Sequence, residues 1–166
     1  MEAMLLDKDT ARKKIYRMAM QIAEQHLDKE SLVLIGIKEN GIAIAEAICK
    51  YLANYFTGNL SVISLSLDKR NPGDITLAPQ LSLTGKTIIL IDDVANSGRT
   101  MLYAIKPLLN QNPAEIQTLA LIERTHKLFP VAVNYVGLSV STGMQQYIEV
   151  KVEEGKYFSA VIKDKK

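Results

Sequence analysis

Asp92 and Asp93 stand side by side at the end of four consecutive aliphatics, residues 88–91. They are followed at once by Val94, Ala95, Asn96, Ser97, Gly98, Arg99 and Thr100. The aliphatic run has the pattern of a strand buried on both faces of a parallel sheet. The small residues around Gly98 read as a turn, and the apolar periodicity from Thr100 as a helix. Strand, turn and helix in that order place the turn at the carboxyl edge of a sheet, where open α/β folds hold ligands. Amides of such a turn and of the helix N-terminus make a cradle for an anion, most naturally a phosphate. Two carboxylates would repel that anion, so Asp92 and Asp93 suit sugar hydroxyls or a divalent cation instead. A phosphate, a diol and a metal together describe a phosphorylated ribose.

A second strand-to-helix turn repeats the arrangement. Leu32, Val33, Leu34 and Ile35 lead into Ile37, Lys38, Glu39, Asn40 and Gly41, and then into Ile42, Ala45, Ile48 and Leu52 at helical spacing. The turn is a second anion site, and Lys38 supplies a cation there. Residues 60–67 alternate as a third strand, and residues 68–74, which include Lys69 and Arg70, form a charged segment with strong breaker chemistry. No G-x-x-x-x-G-K-[ST] string occurs, which counts against a P-loop enzyme.

Residues 88–100 resemble the 5-phosphoribosyl-1-diphosphate (PRPP) signature of the type I phosphoribosyltransferases. The resemblance implies an α/β fold, a mostly parallel twisted sheet flanked by helices with a small hood region. It implies transfer of ribose 5-phosphate from PRPP to a nucleobase, with Mg²⁺ as cofactor. Asp92 and Asp93 then hold the ribose hydroxyls, and Val94, Ala95, Asn96, Ser97, Gly98, Arg99 and Thr100 hold the phosphate. Lys38, Glu39, Asn40 and Gly41 correspond to the pyrophosphate loop, and Lys69 and Arg70 to a mobile lid over it. Asp92, Asp93 and Lys38 carry the reaction by positioning and charge. Mg²⁺ arrives on PRPP, with Asp92 and Asp93 as its candidate protein contacts. Asn96, Glu123, Val140, Ser141 and Thr142 fall at the base-binding positions.

Within the family the chain is most similar to the pyrimidine-operon attenuator proteins that are also uracil phosphoribosyltransferases. Gly36-Ile37-Lys38 with Gly41, Asp92-Asp93-Val94 with residues 97–100, Arg124 with His126 and Pro130, and Tyr135-Val136-Gly137 carry that likeness. The chain departs from it where Asn40 replaces an Arg, Asn96 replaces a Tyr, and Leu138 and Ser139 replace Lys and Asn. The 6-oxopurine branch has an Asp where Asn96 stands and a Lys where Glu123 stands. A pyrimidine, uracil first, is therefore the expected base. A nucleotide-sensing RNA-binding regulator and a purine enzyme are the alternatives, and RNA is not the favoured partner.

These residues need elements to hold them. Asp9 or Thr10 caps a first helix running to about Leu27, with Ala11, Ile15, Met18 and Ile22 as its apolar stripe. His26 falls near its end as an exposed or capping residue. After the phosphate-loop helix, whose last turn Pro107 distorts, residues 116–122, 130–140 and 147–152 read as further strands. Strands alternating with helices give a mostly parallel sheet covered on both faces. At 166 residues, with 48% hydrophobic and 23% charged residues, the chain reads as one domain over residues 1–166. A net charge of +2 is too balanced to imply nucleic acid by itself, and Lys163, Lys165 and Lys166 read as a solvated tail. The single Cys49 and the lack of a signal peptide or a long apolar span point to a cytoplasmic protein without a membrane partner. Homodimers or homotetramers are the assemblies the resemblance implies.

Overall fold

The computed structural model describes residues 1–68, 70 and 73–165. Its centre is β5, Thr87–Ala95, whose side chains alternate between two apolar layers. Ile89 and Ile91 join the layer beneath α1 (Lys8–Gln25) and α2 (Asn40–Leu52). Ile88 and Leu90 join the layer beneath α3 (Arg99–Leu109). A strand buried on both sides has no polar face to offer, which is why this segment is continuously aliphatic.

Around β5 the six-stranded sheet has the order β4-β3-β2-β5-β6-β7. Here β2 is Ser31–Ile37, β3 Asn59–Ser66, β4 Thr76–Ala78, β6 Glu115–Arg124 and β7 Tyr135–Val140. All neighbours run parallel except β3 and β4. The carboxyl ends of β2, β3, β5, β6 and β7 therefore share one edge, and the loops expected to hold ligand leave from it. The mixed α/β architecture is as expected from the sequence.

A second sheet, β1-β9-β8, is antiparallel. It joins β1 (Glu2–Leu6), β8 (Gln146–Glu153) and β9 (Tyr157–Asp164), and it supplies the hood. Two of its strands went unread in the sequence. β1 lacks β-branched residues and takes its conformation from pairing with β9, Glu2 opposite Lys163. Lys163 is consequently no solvated tail residue, because it sits between the carboxylates of Glu2 and Glu149. Its ammonium holds the Glu149 carboxyl below its ordinary pKa. Lys165 donates its amide to the Gln145 carbonyl at 2.6 Å, and Lys166 lies outside the described residues.

Two further expectations are corrected. The cap of α1 is Asp7, whose carboxylate accepts the Thr10 amide at 2.7 Å, so the helix opens before Asp9. The strand expected over 130–140 begins only at Tyr135, because in the segment before it the Val131 amide turns back to the Phe129 carbonyl at 2.9 Å instead of joining a ladder. His26 does cap the end of α1, its amide donating to the Ala23 carbonyl at 3.2 Å, but it is buried, 2% exposed, with Nε2 2.9 Å from Gln117 Oε1. It shares that side chain with the buried Tyr135, whose hydroxyl donates to Gln117 or Gln25.

Tyr135 gives a pH prediction. Burial, reinforced by the charge of Glu115, pushes its phenol up to about 12. An unfolded phenol ionises near pH 10, so the stabilisation is complete below pH 10 and is lost as pH rises towards 12. The full loss is about 2–3 kcal/mol at about 1.4 kcal/mol per unit. Denaturant unfolding at pH 9 and pH 11.5 should show this fall in the wild type, and a smaller one in Tyr135→Phe. Equal falls in both proteins would contradict the assignment.

Candidate functional site

β5 ends at Ala95, and residues 96–98 turn the chain into α3. Gly98 makes that turn with φ +82°, and a Cβ there would stand 2.7 Å from Val131 Cγ1. Glycine is thus required both by conformation and by the segment packed beneath it. Two amides of that segment, Leu128 and Phe129, hold the Ser97 carbonyl at 3.0 Å. The Arg99 amide donates to Ser97 Oγ at 3.2 Å. A cradle of about 120 Å³ results, lined by Asp92, Val94, Ala95, Asn96, Ser97, Gly98, Arg99, Thr100 and Met101. The first-turn amides of α3 face no helical acceptor, so the cradle attracts an anion. A larger cavity of about 610 Å³ lies between β4 and the end of α3, but its lining has no charged residue.

The two acids sit on the rim of the cradle. Asp92 is 2% exposed and accepts the Asp93 amide at 2.9 Å. Asp93 is half-buried and accepts the Val94 amide on Oδ1 and Asn40 Nδ2 on Oδ2, both at 2.8 Å. For Asp93 these contacts fix the rotamer while leaving carboxylate lone pairs for further donors.

The second loop packs directly against the first. A Cβ on Gly41 would meet the Ile91 carbonyl at 2.6 Å, and one on Gly36 would meet Ile42 Cα at 2.4 Å. Both glycines are there because backbone approaches backbone. Lys38 is exposed, with no ion pair among the described residues, and its amide donates to the Leu65 carbonyl at 2.9 Å. The Lys38–Glu39 peptide is cis. Asn40 Nδ2 spends its hydrogens on Asp93 and, at 3.1 Å, on the Val150 carbonyl of β8. It ties the hood to the acid rather than reaching out with its amide nitrogen. Arg70 follows β3 on the same edge, its amide bonded to Asp68 at 2.9 Å; Lys69 lies outside the described residues.

On the other side of β5, Glu123 is in register with Ala95. Its carboxylate pairs with Lys127 and accepts Ser139 Oγ at 3.2 Å. Val140, Ser141 and Thr142 pass close by, and Arg124 donates to the adjacent Gly143 carbonyl at 3.1 Å. The expected residues that are described therefore gather on one edge of the sheet. Arg99 is the exception in detail, since its guanidinium lies over the Tyr103 ring, 5.5 Å from the centroid, and only its backbone faces the cradle. Lys127, Arg124 and Ser139 were not read from the sequence as site residues. Arg124 was quoted only for the family likeness, and Lys127 and Ser139 reach the edge through a loop and a neighbouring strand that no local pattern ties to it.

Comparison with known proteins decides the family. The profile of the Phosphoribosyl transferase domain matches residues 2–153. The chain belongs to that family. The Bifunctional protein PyrR of Thermus aquaticus is 33% identical over 164 residues, covering 92% of this chain and 90% of that protein. The Bifunctional protein PyrR of Haemophilus ducreyi is 31% identical over 163 residues, with coverage of 92% and 91%. In three dimensions the chain is similar to the hypoxanthine phosphoribosyltransferase of Trypanosoma cruzi, with a TM-score of 0.80 at 16% identity, covering 98% and 97%. A hypoxanthine-guanine phosphoribosyltransferase of Bacillus anthracis gives a TM-score of 0.75 at 17% identity, covering 97% of each chain. The structural likeness carries the fold, and the family match carries the activity: this chain is a phosphoribosyltransferase.

Proposed function

We propose that this phosphoribosyltransferase transfers ribose 5-phosphate from PRPP to a pyrimidine base, uracil first, releasing pyrophosphate. The observation that carries the reading is the junction of Asp92 and Asp93 with the glycine-turned cradle of residues 94–100. The cradle takes the 5′-phosphate, the acids take the ribose hydroxyls, and Lys38 with its loop takes the diphosphate. As the C1′–O bond breaks, negative charge grows on the diphosphate, and Lys38, exposed and without an ion pair among the described residues, is suited to receive it. Asn40 keeps Asp93 aimed and does not itself donate to the leaving group.

Among the described residues no group of three or more His, Cys, Asp or Glu is placed to hold a metal. Two rim acids fit an ion carried in on the diphosphate better than a resident one. Mg²⁺ bound in that way supplies charge neutralisation to the leaving group. We further read residues 1–166 as one catalytic unit, a homodimer or homotetramer acting in the cytoplasm. Among the described residues no helix is long and apolar enough to cross a membrane.

The alternative of an RNA-binding regulator has the relatives named Bifunctional protein PyrR in its favour. Against it, several exposed cations stand beside carboxylates rather than alone: Arg12 and Lys13 share Asp9, Lys151 pairs with Glu2, and Lys156 with Glu154. Phosphate contacts drive such affinity, so RNA binding is expected to be weak. Gel shift with pyrimidine-leader hairpins at physiological salt checks this, and submicromolar sequence-selective binding would promote the regulator reading. For the enzyme reading, pyrophosphate release is measured with Mg²⁺-PRPP and a panel of bases. Uracil should give a higher kcat/KM than hypoxanthine or guanine; faster oxopurine turnover would remove the pyrimidine assignment.

A further inference from the structure

Residues 127–131 run behind the phosphate turn and contribute nothing to the lining of the cradle. Three of them press on Gly98. A Cβ there would stand 2.7 Å from Val131 Cγ1, 3.2 Å from the Phe129 carbonyl oxygen and 3.6 Å from Lys127 Cδ. The amides of Leu128 and Phe129 both donate to the Ser97 carbonyl at 3.0 Å. In a planar trans peptide the carbonyl and the following N–H point in opposite directions. Holding the Ser97 carbonyl from behind therefore aims the Gly98 N–H forward, into the cradle. That N–H has no acceptor among the described residues, so it is free to bond an anion.

The segment that sets this direction has no helix or strand of its own. It is tied to the sheet just outside its ends. The Thr125 amide donates to the Val140 carbonyl at 3.0 Å, and Thr118 Oγ1 donates to the Ala132 carbonyl at 2.6 Å. Between those points one polar tie to the sheet remains among the described residues. It is the ion pair of Lys127 with Glu123 of β6. The two side chains are only 15% and 18% exposed, and Glu123 also accepts Ser139 Oγ at 3.2 Å. Open surface pairs contribute little, but this one is shielded from the water and salt that weaken them.

We propose that Lys127 and Glu123 are positioning residues for the 5′-phosphate of PRPP. Their ion pair holds residues 127–129, those residues hold the Ser97 carbonyl, and the carbonyl holds the Gly98 N–H as a phosphate donor. This rests on the phosphoribosyltransferase reading of the cradle. It gives Glu123 a task in the phosphate half of the site, carried out without touching substrate.

The test uses Glu123→Gln, Lys127→Met, the double variant and Lys127→Arg. Calorimetry with Mg²⁺ present measures the affinity of each for PRPP, ribose 5-phosphate and pyrophosphate. Pyrophosphate is the control, because the Lys38 loop leaves from β2, on the opposite flank of β5 from β6. Charge alone would move the two single variants in opposite directions, since one loses a carboxylate near the anion and the other an ammonium. Loss of a brace moves both the same way. Each single variant should bind PRPP and ribose 5-phosphate about tenfold more weakly, the loss of one aligned donor to a charged acceptor. Pyrophosphate affinity should stay unchanged, and Lys127→Arg should keep most of the binding. The double variant should be no weaker than the weaker single one, because the pair acts as one unit. In turnover, KM for PRPP should rise while kcat and KM for the base hold.

Glu123→Gln binding ribose 5-phosphate as tightly as the wild type, or more tightly, overturns the proposal. So does equal weakening of all three ligands, or a raised KM for the base with PRPP binding intact. A wild type that binds neither PRPP nor ribose 5-phosphate is a different result, defeating the reading of the cradle and this proposal with it.

Discussion

Asp93→Asn is expected to weaken PRPP binding by about tenfold to a hundredfold, the loss of one charge-assisted hydrogen bond of roughly 1.5–3 kcal/mol. Asp92→Asn should cost a similar amount. The two variants differ in what else they disturb. Asp93 accepts Val94 N–H on one oxygen and Asn40 Nδ2 on the other. An amide has one acceptor oxygen, so in Asp93→Asn one of those donors loses its partner. Asn40→Ala isolates this part, because it removes the brace and keeps the carboxylate. It should weaken PRPP binding less than Asp93→Asn does. Calorimetry on the three variants checks the order, and unchanged affinity in both Asp variants would remove the ribose assignment.

Gly36→Ala is the second large effect. The new methyl would meet Ile42 Cα at 2.4 Å, the Gly41 carbonyl at 2.6 Å and the Ile42 amide at 2.6 Å, all of them backbone. No side chain can swing aside, so the residue 37–41 loop and the start of α2 must move together. Overpacking of this kind costs about 1–3 kcal/mol of stability, and the displaced loop would also carry Lys38 out of place. Gly73→Ala is the matched control, since a Cβ there meets nothing within 4 Å. It should change stability by no more than about 0.5 kcal/mol. Urea unfolding of the two variants separates them, and a neutral Gly36→Ala would contradict the close approach.

The parts of the site that the sequence made legible are those in which chemistry is written in consecutive residues. β5, the turn at Gly98 and α3 follow one another without interruption, and so do β2, the Lys38 loop and α2. The hood was hard to read for the opposite reason. Glu2 pairs with Lys163 and Met1 with Asp164, contacts between the two ends of the chain that no local pattern announces. The same holds for Lys127. As a Lys four residues after a Glu it would suggest a helical pair, yet it lies in an irregular segment held by the Ser97 carbonyl. His26 caps α1 as expected, but its exposure was misread because helix ends are usually wet; here Gln117 of β6 and Tyr135 of β7 bury it.

Titration of the wild-type protein with PRPP in the presence of Mg²⁺, repeated on an Asp92→Asn/Asp93→Asn double variant, tests the central claim most directly. Binding by the wild type at one site per chain, weakened in the double variant well beyond either single change, is the expected result. A wild type with no measurable PRPP binding, or a double variant that binds as tightly, would contradict it.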